Sequence, residues 1–342
     1  MSQTLKGDTL PKWAPIASLA IAIGVAIALA NTTAVAGTAG TSVLAVLIFI
    51  AIQTLWSFAV EGRRHAVDRV ATTLIYATFV AAAAPLLSLL FEVFTRGIKV
   101  FNLAFLSHSM RNVSPLKPGG GVLHALIGTM QQVGVATLIA VPIGILTALY
   151  LVEHARGGRL SKAISFFVDV MTGIPSIVAG LFIYTAWILT LGFDRSGMAA
   201  ALSLAILMLP VVVRTTEEML KLVPNDLREA SLALGIPKWK TTIRVVLPTA
   251  IGGIITGVML AVARVAGETA PLLLTTFLSQ SINNNPFAGP QAAVPTFVWD
   301  QLSSSTPASL DRAWAGALTL ILLVMFFYGA AKLIARYYAP KA

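Results

Sequence analysis

The chain has 342 residues, of which 57% are hydrophobic and only 11% are charged, and it contains no cysteine. A soluble domain needs far more charge on its surface, so the composition indicates an integral membrane protein. The lack of cysteine excludes disulfides and thiolate metal sites. We attribute most of the net charge of +10 to membrane topology and expect no nucleic-acid binding, because basic residues gather in cytoplasmic loops.

Continuous apolar runs, each long enough to cross about 30 Å of hydrocarbon, predict an all-α integral membrane protein with eight transmembrane helices. The predicted spans are residues 14–36, 41–60, 70–94, 123–152, 163–191, 198–220, 247–274 and 313–335. With a cytoplasmic N-terminus, 17 of the 24 Lys and Arg residues lie inside, 6 lie outside and Arg264 lies in the membrane. The positive-inside rule therefore favours cytoplasmic N- and C-termini.

The first predicted span has a second interpretation as a cleaved signal peptide, because Ala34-Val35-Ala36 follows its apolar run. The run from Ala14 to Ala30 is longer than a usual signal core, which favours retention of the span. The charged segment 61–69 separates the first two spans from the rest. We therefore predict an N-terminal module over 1–69 and a six-span core over 70–342.

Two long polar stretches, 95–122 and 275–312, are predicted to lie outside the cell membrane. The first contains an apolar patch, 101–106, which is typical of a helix on the membrane surface. Packing of this patch on an outside partner is the alternative. The second stretch is rich in Asn, Pro, Ser and Gln and is expected to cap the mouth of the protein.

The segment 225–248 is a polar interruption between apolar runs. Asp226 is predicted to cap a short helix, with Glu229 three residues on as in a capping box. Gly235 is expected to end that helix, and Pro237 suits the first turn of a second one. We expect two short helices that project into the cytoplasm; an ordinary solvated helical hairpin is the alternative.

The spacing within this segment resembles the EAA loop of bacterial ABC-importer permeases, which docks on an ATPase. The matching residues are Glu229-Ala230-Ser231, Gly235 and Leu247-Pro248, and Pro237 completes the predicted docking element. Ser for Ala and Val for Ile are the two departures, and both conserve size. No Gly-Lys dipeptide occurs in the chain, which excludes a Walker A loop. The resemblance therefore implies that the ATPase is a separate chain.

Arg264 and Glu268 are predicted to share one face of the seventh span, because their spacing is i, i+4. Charges in hydrocarbon are costly, so both are expected to face the bundle interior or a water-filled path. One interpretation is a structural ion pair, and the other is an anion path, since a guanidinium matches tetrahedral oxyanions. Upstream, Gly253 and Gly257 predict a close helix crossing, and Pro271 is expected to kink or end the helix.

Arg214 and Asp169 are further candidates for this path. Arg214 is expected at the cytoplasmic interface, where long basic side chains snorkel. Asp169 is expected to pair with Arg214 or with Arg264. The four histidines lack metal-ligand spacing, so we predict no metal site.

The blocks around these charges are similar to the permease subunits of bacterial phosphate-specific ABC importers, and more to the PstA type than to the PstC type. They include Gly173-Ile174-Pro175-Ser176 and Ala263-Arg264-Val265-Ala266-Gly267-Glu268-Thr269-Ala270-Pro271. The similarity covers roughly residues 70–340. It implies a six-span type I importer permease core, to which this chain adds two N-terminal transmembrane helices.

The resemblance also implies partners: a PstC-type permease in a heterodimeric pore, a PstB-type ATPase dimer that uses ATP and Mg, and a PstS-type phosphate-binding protein outside. The chain itself is then a multi-pass subunit of the cytoplasmic membrane, surrounded by lipid, with no cofactor and no enzymatic activity. Arg264, and with it Arg214, would belong to an alternating-access translocation path. The alternatives are a permease for molybdate or sulfate, and a membrane anchor or receptor that does not transport.

Overall fold

The computed structural model describes residues 9–32, 37–155 and 157–338, and every regular element in that part of the chain is a helix. The helices are α1 (Ala14–Thr32), α2 (Thr38–Val60), α3 (Arg63–Gly97), α4 (Leu103–Ser107), α5 (Leu123–Leu149), α6 (Arg159–Thr172), α7 (Ser176–Ile183), α8 (Gly197–Lys221), α9 (Asn225–Ala233), α10 (Lys238–Thr241), α11 (Leu247–Ala266), α12 (Ala270–Thr275), α13 (Val294–Ser304) and α14 (Pro307–Tyr338). π-helical turns extend α5 over Tyr150–His154 and α7 over Tyr184–Thr190, and a third joins α10 to α11 over Thr242–Val246. The Ala34–Ala36 motif, which raised the signal-peptide interpretation, lies outside the described residues.

The chain forms two compact units that divide between Phe91 and Glu92, within α3. In the first unit, α1 and α2 pack as a hairpin in which the Ser18 hydroxyl donates to Gln53 Oε1 across 2.5 Å. The predicted boundary at 69/70 also falls inside α3, so it coincides with no break in the helix. The division of function at that boundary stays a prediction.

Glu61 links α2 to α3 in the first unit. Its carboxylate accepts from Arg69 Nε across 2.7 Å, from the Ser57 hydroxyl across 2.7 Å and from the Leu10 amide across 2.7 Å. The Arg69 guanidinium is the main reason that the pKa of Glu61 falls from its usual 4.5 to about 2. The anionic form of Glu61 therefore stabilises the junction between α2 and α3.

Seven described helices are long and apolar enough to cross a membrane, and a bent pair raises the number to eight. This pair corrects the predicted straight span 163–191, because α6 and α7 meet at 108°. Gly173 ends α6, and Pro175, which has no N–H to donate, precedes α7. The seventh predicted span is also corrected: α11 ends at Ala266 and not at residue 274.

The bent pair carries the chain from one end of the core unit to the other. Thr137 Oγ1 of α5 contacts Met208 Sδ of α8 at 3.9 Å, and one to two turns later Gly144 of α5 packs on Val212 of α8. The contact positions increase in number along both helices, so α5 and α8 are parallel. The intervening α6–α7 segment must therefore cross the unit in the opposite direction. This identifies it as a broken span, because a re-entrant loop would return to the end from which it started.

Helix α8 lies at the centre of the core unit and packs on α5, α6, α7, α11 and α12. Helix α11 approaches it very closely: a Cβ added to Gly253 would stand 2.2 Å from Met219 Sδ, and one added to Gly257 would stand 2.5 Å from Thr215 Oγ1. These contacts run in opposite directions along the two helices, so α8 and α11 are antiparallel. The predicted close crossing at the two glycines is confirmed.

We call the end of the core unit that carries α4 and α13 the α13 end, and the opposite end the α9 end. At the α13 end, Phe105 of α4 is buried and packs on Phe297 of α13, with ring centroids 6.3 Å apart. Phe105 of the predicted surface patch 101–106 therefore belongs to the protein's own core, whereas Leu103 is 81% exposed, so contact of the patch with the membrane surface or an outside partner stays a prediction. Helix α13 itself was not predicted from the polar sequence around it.

Arg312, counted as an outside charge in the sequence, is a buried structural residue at the α13 end with 1% exposure. Its Nε donates to Gln301 Oε1 across 2.7 Å, its Nη1 to the Lys117 carbonyl across 2.8 Å and its Nη2 to the Pro115 carbonyl across 3.1 Å. The guanidinium thus fixes the loop before α5 onto α13 and α14, and carbonyl oxygens compensate its desolvation.

Candidate translocation path and docking element

The docking element predicted from the sequence is a pair of helices, α9 and α10, at the α9 end. Gly235 has a φ of +76°, its amide donates to the Leu232 carbonyl across 2.9 Å, and the Ile236 amide donates to the Ser231 carbonyl across 3.3 Å. These bonds form a Schellman motif, which a left-handed glycine permits. The predicted helix end at Gly235 is confirmed.

The beginning of α9 differs from the prediction. Pro224 occupies the N-cap position without a side-chain hydrogen bond, and Asp226 lies in the first turn. The expected capping box between Asp226 and Glu229 is therefore not formed, because the backbone of Pro224 starts the helix two residues earlier. Asp226 still places a negative charge at the positive end of the helix, where it is favourable.

A buried hydrogen bond fixes the angle between α9 and α10. The hydroxyl groups of Ser231 and Thr241 lie 2.9 Å apart. Ser231 stands where the resembling loops have alanine, and it supplies a bond that alanine lacks. On the outer surface of the pair, Leu234 and Trp239 are exposed.

Arg228, which sequence analysis did not select, anchors α9 to the transmembrane core. Its Nη2 lies 3.0 Å from Glu153 Oε1 at the end of α5 and donates to the Leu220 carbonyl of α8 across 2.8 Å. Glu153 is 7% exposed. The only sequence signal for this pair is an acid at the end of an apolar run and a base in the polar loop 75 residues later.

One continuous helical stretch joins the docking element to the charged region. It runs from Lys238 through the π-helical turn to Ala266. Pro248 lies in the first turn of α11, where its missing amide hydrogen disrupts the regular α-helical bonding and fits the wider turn before it. A movement of α10 is therefore transmitted along a helix and not through a loop.

Arg264 and Glu268 lie on different elements, which corrects the predicted i, i+4 pair. Arg264 is exposed in the last turn of α11, whereas Glu268 follows the end of that helix. Gly267 terminates α11 by donating its amide to the Arg264 carbonyl across 3.3 Å. Pro271 starts α12 and does not end α11. Among the residues that the structure describes, Arg264 has no carboxylate partner within ion-pair distance.

Arg214 and Asp169, also selected from the sequence, do lie together. Arg214 Nη2 is 2.5 Å from Asp169 Oδ1, and Arg214 Nη1 is 2.6 Å from Glu217 Oε2. Nη2 also donates to Ser165 Oγ across 2.9 Å. The prediction that Asp169 pairs with one of the two arginines is confirmed for Arg214. Glu217 and Ser165 were not predicted, and together these partners occupy the donors of Arg214.

The two arginines mark separate positions along the core. Gly257 packs on Thr215, the neighbour of Arg214, and Arg264 lies seven residues further along α11, which corresponds to about 10 Å. Arg214 is neutralised by two carboxylates, whereas Arg264 is exposed and has no such partner among the described residues. Of these two arginines, Arg264 is therefore the one with N–H groups available to an anion in this conformation.

The described residues contain no group of three His, Asp or Glu side chains that could hold a metal ion. The chemistry available at the path is that of guanidinium and carboxylate groups. Such groups can bind and orient an anion.

The family model described as "Binding-protein-dependent transport system inner membrane component" matches residues 140–341. The matched region contains α9, α10, Arg214 and Arg264. It therefore includes both the docking element and the charged positions described above.

Curated relatives carry more specific names. The phosphate transport system permease protein PstA 1 of Mycobacterium tuberculosis (strain ATCC 25618 / H37Rv) is 50% identical over 280 residues, which is 82% of this chain and 90% of the relative. PstA of Mycobacterium leprae (strain TN) is 49% identical over 80% of this chain and 90% of its own length. PstA of Pasteurella multocida (strain Pm70) is 40% identical over 74% of this chain and 87% of its own length.

Solved structures share the fold at low sequence identity. A chain of the MetNI methionine ABC transporter superposes with a TM-score of 0.50 at 20% identity, covering 64% of this chain and 95% of that one. A chain of an amino acid ABC transporter crystallised with histidines superposes with a TM-score of 0.51 at 21% identity, covering 69% of this chain and 99% of that one. These likenesses support the type I permease fold.

Proposed function

We propose a function for this chain from one premise: the chain belongs to the family of binding-protein-dependent transport system inner membrane components. It is the PstA-type permease subunit of an ABC importer that translocates inorganic phosphate across the cytoplasmic membrane. The observation that carries this conclusion is the 50% identity to a phosphate transport permease over 90% of that relative.

The partners proposed for this chain follow from its similarity to phosphate transport permeases. The α9 end faces the cytoplasm, where α9 and α10 dock on a PstB-type ATPase dimer that uses ATP and Mg. The exposed face with Arg264 meets a PstC-type permease, so that the path lies between the two subunits. The α13 end faces outward, toward a PstS-type binding protein. Both termini lie in the cytoplasm, in agreement with the excess of basic residues on that side.

The residues of this chain supply coupling and anion recognition. Movement of the ATPases displaces α9 and α10, and the continuous helix 238–266 transmits this displacement to Arg264. Rocking of the packed helices then opens the path on alternate sides. The guanidinium of Arg264 offers several parallel donors to a tetrahedral oxyanion. Glu268 accepts a hydrogen bond from the protonated oxygen of phosphate, which sulfate lacks near neutral pH.

Reconstitution tests this function directly. The chain is placed in liposomes with its candidate permease partner, ATPase and binding protein, and uptake of labelled phosphate is measured with and without ATP, with sulfate and molybdate as competitors. We expect ATP-dependent phosphate uptake that excess sulfate does not reduce. Uptake of another oxyanion in preference to phosphate would reassign the cargo, and partner binding without any uptake would favour an anchor or receptor.

Glu268→Gln tests the role of the carboxylate in the same assay. It keeps the size of the side chain and removes its charge. We expect phosphate uptake to fall and sulfate to compete better. Unchanged uptake, with an unchanged pH dependence between pH 6 and pH 8, would show that Glu268 does not contact phosphate.

A further inference from the structure

A cleft at the α13 end contains an arginine that the proposed path does not use. The cleft has a volume of about 410 Å³, is open to one side, and is lined by Ile188, Phe193, Asp194, Arg195, Phe277, Gly289 and Pro290. Asp194 and Arg195 are its charged residues. They lie in the turn between the π-helical extension of α7 and the start of α8.

Two aromatic rings hold the guanidinium of Arg195. Its Cζ lies 4.4 Å from the ring centroid of Phe277 and 5.1 Å from that of Tyr184. Phe277 has a φ of +57°, an unusual and strained conformation for a bulky residue. The strained backbone places the Phe277 ring against Arg195, so the arginine is positioned before any ligand arrives.

The donors of Arg195 are unused. Within the described part of the chain, no carboxylate forms an ion pair with Arg195 and no acceptor forms a hydrogen bond with its side chain. This contrasts with Arg214, whose donors are occupied, and with Arg312, which is buried among carbonyl oxygens. A half-buried guanidinium that contacts rings but no acceptor can bind a planar or tetrahedral oxyanion with its free N–H groups.

The turn that carries Arg195 is rigidly built. Phe193 stacks on Trp187 with ring centroids 4.2 Å apart. The Ser196 amide donates to the Thr275 carbonyl across 3.2 Å. These contacts fix the turn to α7 on one side and to the end of α12 on the other. The backbone that carries Arg195 is therefore held in place from both sides.

The cleft lies further toward the α13 end than the charged residues of the path. Phe277 follows α12, and Glu268 precedes it. The six residues of α12 span about 9 Å. Arg195, Glu268, Arg264 and Arg214 therefore occur in order from the α13 end to the α9 end.

We infer that Arg195 and Asp194 form an outer capture site for a protonated tetrahedral oxyanion, which receives phosphate before it reaches Arg264. The guanidinium binds the anionic oxygens, and the exposed Asp194 carboxylate accepts the hydrogen of a protonated oxygen. This inference rests on the proposed function. A purely structural role, in which Arg195 only holds the 277–290 loop through its ring contacts, is the competing explanation.

The test is ATP-dependent phosphate uptake in the complete reconstituted transporter, with Arg195→Gln, Arg195→Lys and Asp194→Asn. Arg111→Gln is the matched control, because Arg111 is an exposed arginine at the α13 end outside the cleft. Arg195→Gln removes a charge-assisted contact worth roughly 1.5 kcal/mol. We therefore expect this variant to take up phosphate about tenfold more slowly when the phosphate-loaded binding protein is limiting. Arg195→Lys keeps charge and ring contact but loses the planar fork, so we expect a smaller loss and unchanged thermal unfolding.

Asp194→Asn separates anion recognition from packing. We expect sulfate to inhibit phosphate uptake more strongly in this variant than in the wild type, since a neutral amide no longer repels the unprotonated oxygens of sulfate as the carboxylate does. A loop-holding role of Arg195 predicts no change in sulfate inhibition. Full uptake by Arg195→Gln, or an equal loss in Arg111→Gln, would overturn the inference while wild-type uptake still supports the proposed function.

Two further measurements identify the ligand. Affinity of the loaded binding protein for the transporter is measured by surface plasmon resonance, and we expect Arg195→Gln to leave it unchanged; a reduced affinity would make Arg195 a docking residue and overturn the inference. Uptake is also measured in phosphatidylcholine bilayers with and without phosphatidylglycerol. An Arg195→Gln defect that disappears without the anionic lipid would identify a lipid headgroup as the ligand and reject free phosphate.

Discussion

Arg228 of the docking helix α9 lies 3.0 Å from Glu153 at the end of α5, and neither side chain is more than 17% exposed. This ion pair connects the surface that we propose to meet the ATPase to the helix bundle by a second route, besides the helix that continues from α10. Loss of one partner leaves a largely buried charge, which costs about 3–5 kcal/mol in comparable pairs.

Substitution of Arg228 or Glu153 by glutamine is therefore expected to lower phosphate uptake several-fold and to reduce co-purification of the ATPase. The double variant should lose less than the sum of the single losses, because the two charges interact directly. Arg244→Gln is the control, since Arg244 is exposed in the same segment and forms no ion pair among the described residues. Additive losses would show that the pair does not couple α9 to α5.

Arg264 and Arg214 are expected to respond differently to the same substitution. Arg264→Gln should abolish uptake without lowering the melting temperature of the purified chain, because the exposed side chain has no ion-pair partner in the described structure. Arg214→Gln should lower both, since it leaves Glu217, which is 12% exposed, without one of its cations. Uptake assays and thermal unfolding measure the two effects. Equal melting temperatures for both variants would contradict the assignment.

The turn at Gly235 is expected to be sensitive to a side chain. Gly235→Ala places a Cβ at a φ of +76°, which costs about 1 kcal/mol, and should weaken ATPase binding and uptake modestly. Gly235→Pro also removes the amide that bonds to Leu232 and should eliminate both. Gly252→Ala is the control, because an added Cβ there meets no atom within 4 Å. Normal uptake in Gly235→Pro would reject the docking assignment.

Helices α7 and α12 touch at Gly180, where an added Cβ would stand 2.6 Å from the Pro271 Cα. The backbone of α12 must shift to accept it, so Gly180→Ala is expected to destabilise the core by roughly 1–3 kcal/mol and to lower the melting temperature. Gly134→Ala in α5 is the matched change, since nothing lies within 4 Å of its Cβ. A melting temperature equal to that of Gly134→Ala would show that the backbone of α12 shifts without loss of stability.

The first unit is expected to lose stability in acid. The folded state lowers the pKa of Glu61 from 4.5 to about 2, so the stabilisation is present above pH 4.5 and is lost as the pH falls toward 2. Hydrogen exchange of residues 55–70, corrected for intrinsic rates, measures this loss. Glu61→Gln should show weaker protection already at pH 7 and no further transition between pH 4.5 and pH 2. A wild-type transition that persists in Glu61→Gln would assign it to another group.

Much of the fold follows from local signals that a single sequence contains. The apolar runs predict all the long helices, Gly235 predicts the end of α9, and the two glycines of α11 predict its close crossing with α8. The break of the fifth span was missed, although Gly173 and Pro175 signal it, because the apolar run continues through them. The end of α11 at Gly267 was also missed, because the apolar run there is long enough to predict one continuous membrane span.

The candidate site was less predictable, because its contacts join residues that are far apart in sequence. Arg228 and Glu153 are separated by 75 positions, and neither stands out in composition. Asp169 and Arg214, 45 positions apart, were recognised only because charges are rare in apolar runs. Burial of Arg312 among backbone carbonyls has no sequence signal, since carbonyl groups occur at every residue.

The uninterrupted helix from Lys238 to Ala266 also fixes an angle. Successive residues of an α-helix are rotated by 100°, since a turn takes 3.6 residues, so the number of residues between Trp239 and Arg264 determines which way the guanidinium points when α10 is seated on its partner. One residue inserted near Thr256 would turn Arg264 by about 100° relative to α10, together with the buried face of α11 that follows the insertion. Seven inserted residues, close to two full turns, would bring it back to nearly the same direction. Residue count in this helix is therefore a functional parameter in itself.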